Sequence, residues 1–130
     1  KPHALEFLNE LKSRSIPMVL ATATDAHLAS IILDKYSVKD YFKYILTPER
    51  LGFSKGQTDF FQRIVGRLGI DPRDIWVFED ALHCIESAKN CGLRVVAIKD
   101  KSALPDSARI RELSDIYLED FSQLKLENLR

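Results

Sequence analysis

The sequence predicts an α/β protein built on a doubly wound, mainly parallel sheet, and three observations predict it. Helical patterns alternate with short strand-like runs almost without interruption through the 130 residues. Those runs are continuously apolar, as in strands covered on both faces. Turn residues bound them, so the intervening helices serve as crossovers that leave successive strands parallel.

The elements follow in order. "PHALEFLNELKSR" (2–14) carries Pro2 in a favourable first-turn position and repeats Ala4, Leu5, Leu8 and Leu11 at helical spacing. "IPMVLAT" (16–22) reads as a covered strand. "DAHLASIILDKY" (25–36) turns helical, with Thr24 available as its N-cap. "YILT" (44–47) is strand-like, "PERLGFSKGQ" (48–57) a loop, and "TDFFQRIVGRL" (58–68) a helix that Gly69 closes. "IWVFE" (75–79) is a strongly apolar strand, "ALHCIESAKNCG" (81–92) a helix ending at Gly92, and "RVVAI" (94–98) a further strand. "DSARIREL" and "DIYL" close the chain as a short helix and an edge strand. The length suits one domain with a real core, expected to span residues 1–130.

Composition narrows the function. Nineteen basic against nineteen acidic side chains leave no net field to attract nucleic acid or an anionic membrane. No stretch approaches the roughly 20 apolar residues of a membrane span, so the protein is expected to be cytoplasmic. Cys84 and Cys91, seven apart in one helix, match neither a metal knuckle nor a disulfide framework, and are expected to be reduced. The first residue is Lys1 and not methionine, which leads us to expect a longer chain.

In open parallel sheets ligands bind where strands end. The strand from residue 16 ends at Thr22, the strand from 75 ends at Glu79 and Asp80, and the loop after the strand at 44 carries Lys55. A phosphoryl group needs donors. Thr22, the N–H groups of Ala23 and Thr24, and the ammonium of Lys55 would supply them. A carboxylate beside a phosphoryl group repels it unless a hard cation such as Mg2+ lies between, which assigns Asp80 as a metal ligand with Glu79 next to it.

"VLATAT", "SKGQTDFF" and "VFEDALHCIESAKNCGLRVVAI", in that order, resemble motifs II, III and IV of the haloacid dehalogenase-like hydrolase superfamily, in particular its phosphoglucomutase-like phosphatases. The resemblance runs from the helix at residue 4 to "DIYLEDFSQL". It implies a Rossmann-like core and a cytoplasmic Mg2+-dependent phosphoric monoester hydrolase that acts on a small phosphorylated metabolite. Thr22 would hydrogen-bond the transferring phosphoryl group, Lys55 would neutralise it, and Asp80, with Glu79, would hold Mg2+. A phosphomutase, or a silent phosphate-binding module, are the alternatives.

The sequence departs from the family pattern at Gly56, where proline is frequent, and at Ala81 and Cys84, where serine and glycine are frequent. It contains no DxD, the motif I signature that supplies the nucleophilic aspartate. The resemblance therefore implies an incomplete core. An N-terminal segment bearing motif I, from the same gene product or a complementing chain, is expected to fill the place between the strands that end at Thr22 and at Asp80. The substrate-selecting cap is expected with it. Asp25, His27 and His83 are expected to be structural or peripheral, and Trp76, Phe60 and Phe61 to be core.

Overall fold

The computed structural model describes residues 1–52 and 58–129. They form two compact units, Leu5–Lys55 and Lys1–Ala4 with Gly56–Arg130.

The first unit contains nearly all of α1 (Ala4–Ser13), then β1 (Val19–Ala21), α2 (Ala26–Lys35), β2 (Tyr44–Leu46) and α3 (Pro48–Leu51). Phe7 and Leu11, one helical turn apart, are the buried residues of α1, whereas Leu5 is exposed. The expected stripe holds at Ala4, Leu8 and Leu11, with Phe7 taking the buried place expected of Leu5. Two helices of this unit end in the same way. Ser15 and Ser37 take left-handed φ values of 56° and 57°. The N–H groups of the following residues, Ile16 and Val38, return to the carbonyls of Leu11 and Leu33, each at 3.0 Å. This is a Schellman closure with serine where glycine usually stands.

β1 and β2 pair in parallel, Val19 opposite Tyr44 and Ala21 opposite Leu46. The N–H of Thr22 extends the ladder to the Leu46 carbonyl at 3.0 Å. Among the described residues β1 has no other strand beside it, and all three of its residues are half-buried, less covered than their apolar character predicted. After β2 the expected loop begins as a helical turn, α3. Fully buried Thr47 caps it, Oγ1 accepting the N–H of Arg50 at 3.3 Å.

The second unit holds α4 (Thr58–Leu68), β3 (Trp76–Glu79), α5 (Leu82–Asn90), β4 (Arg94–Ile98), α6 (Ser107–Leu113) and β5 (Ile116–Leu118). Its sheet has the order β3-β4-β5, all parallel, which bears out the predicted α/β class. β4 is central. Val95, Val96 and Ala97 are consecutive and fully buried, so both of its faces are covered. α5 packs on β4 and between α4 and α6. Phe60 and Phe61 are buried, as expected, and meet edge to face at 5.5 Å. Each such ring contributes about 1.5–3 kcal/mol through burial.

Trp76 departs from expectation. It is half-buried, with the Arg94 guanidinium 4.3 Å from its ring centroid, so a cation covers the face that a core residue would give to apolar neighbours. Phe78 stacks on Phe121 of the C-terminal segment, centroids 5.9 Å apart. No described helix is long and apolar enough to cross a membrane, and neither Cys84 nor Cys91 is in a disulfide.

Candidate functional site

The predicted site residues fall in two units: Thr22, Ala23 and Thr24 in the first, Glu79 and Asp80 in the second. Lys55 and Gly56 lie outside the described residues.

At the end of β1 the chain turns sharply. Thr22 Oγ1 accepts the N–H of Thr24 at 3.0 Å, so that N–H, expected to face a phosphoryl group, serves the turn. The arrangement fixes the Thr22 oxygen as acceptor and leaves its own proton available to donate. Thr24 is not the N-cap of α2. Asp25 is, its Oδ1 accepting the N–H groups of His27 at 3.0 Å and Leu28 at 3.2 Å. A carboxylate there also answers the positive helix end. Asp25 is thus structural, as expected, while His27 and Ala23 are exposed.

At the end of β3 the two acids separate in role. Glu79 Oε1 accepts the N–H of Asp80 at 3.0 Å and that of Ala81 at 3.4 Å, which shapes the turn into α5. Asp80 turns its carboxylate outward, and its Oδ2 lies 3.1 Å from the Lys1 Nζ. The same ammonium donates to Asp100 Oδ2 at 2.9 Å and to the Lys99 carbonyl at 3.3 Å. Burial opposes the charge on Lys1, but hydrogen bonds to Asp100 and then Asp80 outweigh it and hold the amine above its ordinary lysine value. Hydrogen bonds from the Ser102 hydroxyl and from Lys1 hold the Asp100 carboxyl well below the usual carboxylate range.

Three hard oxygens therefore converge on one positive charge: two carboxylates and a backbone carbonyl. That donor set suits Mg2+, which takes one or two carboxylates and completes its shell with water or substrate. Among the described residues no group of three or more His, Cys, Asp or Glu converges, so a closed all-protein metal cage is not what is built here.

Asp100 escaped the sequence reading although the rule that found Asp80 also finds it, since β4 ends at Ile98 and Asp100 follows two residues later. His83, expected to be peripheral, lines a cleft of about 340 Å³ beside Asp80, together with Glu86, Ser102 and Asp106. The signal was its place in the first turn of the helix that leaves a strand end.

Known proteins resemble this chain over nearly its whole length. The family model described as haloacid dehalogenase-like hydrolase matches residues 1–98. Hexitol phosphatase B of Escherichia coli (strain K12) is 23% identical over 128 residues, 98% of this chain and 57% of that protein. Beta-phosphoglucomutase of Bacillus subtilis (strain 168) is 29% identical over 113 residues, 86% of this chain and 49% of that one. The crystal structure of CbbY from Rhodobacter sphaeroides in complex with xylulose-(1,5)bisphosphate matches with a TM-score of 0.82 at 21% identity, over 99% of this chain and 58% of its own. At that identity the likeness speaks for the fold alone. The chain spans about half the length of the curated relatives it matches.

Proposed function

Because the chain belongs to the haloacid dehalogenase-like hydrolase family, we propose that it forms part of a Mg2+-dependent phosphatase core that acts on a small phosphorylated metabolite. The observation that carries this reading is the convergence of Asp80 Oδ2, Asp100 Oδ2 and the Lys99 carbonyl on a single cation, the Lys1 ammonium. The phosphatases among its relatives, hexitol phosphatase B included, support the reaction class.

Asp80 would hold Mg2+, with Glu79 fixing the turn that presents it. When bound, the ion supplies positive charge against the charge that develops on the transferring phosphoryl group. Thr22 donates its hydroxyl proton to a phosphoryl oxygen, and the Ala23 N–H stands next to it. Lys55 adds a compact positive charge to the same group. Since the sequence has no DxD, the nucleophilic aspartate is assigned to a segment outside these residues, in the same gene product or a complementing chain. That aspartate attacks phosphorus as the ester oxygen leaves, and water then releases phosphate. Catalysis by this chain's residues is thus positioning and electrostatics.

Phosphomutase chemistry is the second reading, favoured by the 29% identity to a protein named beta-phosphoglucomutase. The experiment is release of inorganic phosphate from hexitol and sugar phosphates by the whole protein, with Mg2+ and with chelator. Chelator-sensitive release supports a phosphatase. Isomerised sugar phosphate without release supports a mutase, and neither product leaves a phosphate-binding module.

A further inference from the structure

The Lys1 side chain does more than decorate the surface. Lys1–Ala4 clusters with Gly56–Arg130, the unit that contains Asp80, while Leu5–Lys55 forms the other unit. The lysine ammonium reaches the ends of two neighbouring parallel strands: Asp80 follows β3, and Lys99 and Asp100 follow β4. Its three oxygen partners stand at 2.9, 3.1 and 3.3 Å, a nearly complete set of acceptors for an ammonium with three donors. One of those partners is the carboxylate assigned above to Mg2+.

An ammonium and a divalent cation at that oxygen are both positive and repel each other at contact distance, so each weakens the other's hold on Asp80. We propose that Lys1 is a built-in competitor for the cation site, so that its ammonium and the metal occupy Asp80 in turn. This inference rests on the reading of Asp80 as a metal ligand. Release of Lys1 from Asp80 is inexpensive, because Asp100 Oδ2 and the Lys99 carbonyl remain within reach of the same nitrogen. The pair is also partly open to solvent, with side-chain exposures of 28% for Lys1 and 36% for Asp80, so water can take over the vacated donor. Lys1 thereby offsets part of the negative charge at the strand ends and raises the metal concentration needed to load them.

The test is Mn2+ binding to the whole protein, followed by the electron paramagnetic resonance signal of the free ion. Lys1→Met removes the charge and keeps the length, Lys1→Arg keeps the charge, and Asp80→Asn removes the ligand. The expected result is roughly two- to fivefold tighter Mn2+ binding in Lys1→Met, the scale of exposed ion pairs given up at one carboxylate. Lys1→Arg is expected to stay within twofold of wild type, and Asp80→Asn to lose the site. Unchanged or weaker binding in Lys1→Met, with binding lost in Asp80→Asn, overturns the competition and leaves the metal assignment standing. Unchanged binding in Asp80→Asn overturns both.

Discussion

Glu79 Oε1 accepts the backbone N–H of Asp80 at 3.0 Å, so of two adjacent acids one shapes the turn and the other is presented by it. If that is the division of work, Glu79→Gln keeps an acceptor oxygen and should retain Mn2+ affinity within a few-fold. Glu79→Ala leaves two N–H groups without their acceptor. It should lose about 1–2 kcal/mol of stability and bind metal more weakly. Denaturant unfolding and Mn2+ titration read both. A Glu79→Gln protein that has lost metal as fully as Asp80→Asn would make Glu79 a direct ligand.

Thr22 offers a second substitution pair. Thr22→Ser preserves the hydroxyl, so phosphate release should fall by no more than a few-fold. Thr22→Val keeps the shape but removes both the acceptor for the Thr24 N–H and the donor to substrate. Turnover should then drop roughly tenfold to a hundredfold, with the inhibition constant of vanadate rising in parallel. An unaltered vanadate constant in Thr22→Val would return the hydroxyl to turn-making alone.

Asp115 pins the second unit, its Oδ2 accepting the Lys89 ammonium and the buried Val95 N–H, each at 2.8 Å. Burial pulls its pKa upward, but the Lys89 and Val95 hydrogen bonds outweigh this and hold the carboxyl below its ordinary value. With the folded pKa depressed, the stabilisation is present above the unfolded value of about 4 and is lost as pH falls through the lower folded one. Unfolding at pH 7 should show Asp115→Ala weaker than wild type by about 1–3 kcal/mol, chiefly from the orphaned Val95 N–H. Below pH 3 that gap should narrow. A gap independent of pH would assign the loss to packing.

The two serine helix ends give a prediction of opposite sign. Ser15 and Ser37 hold φ near +56°, a conformation costly for a residue with a Cβ. Ser15→Gly and Ser37→Gly should each raise stability by about 0.5–1 kcal/mol in thermal unfolding. Destabilisation would mean that the side chains do something the backbone does not explain.

The helices and strands were legible because periodicity and continuous apolar runs report burial, and burial is a long-range property written into many residues. The strand ends at Thr22 and at Glu79–Asp80 followed directly. Caps were less legible. Thr24 and Asp25 are both good N-cap residues, and only the backbone path from Thr22 decides that Asp25 takes the role. Thr47 followed by Pro48 carried the start of α3, but its four residues are too few for any periodicity to show. Asp100 lay within reach of the strand-end rule, two residues beyond β4, but its contact with Lys1, 99 positions away in sequence, is one that no local pattern encodes. Lys55, read from its loop after the strand at 44 and from motif order, lies outside the described residues.

The central claim is that Asp80 holds the cation that a phosphatase core requires. The direct measurement is Mg2+-dependent phosphate release by the whole protein carrying Asp80→Asn, with its unfolding transition recorded alongside. The account expects an unchanged transition and turnover lowered by about a thousandfold or more, because a neutral amide neither binds the ion tightly nor leaves a charge for it to answer. Asp80→Asn protein that releases phosphate at the wild-type rate, with the wild-type dependence on Mg2+, would contradict it.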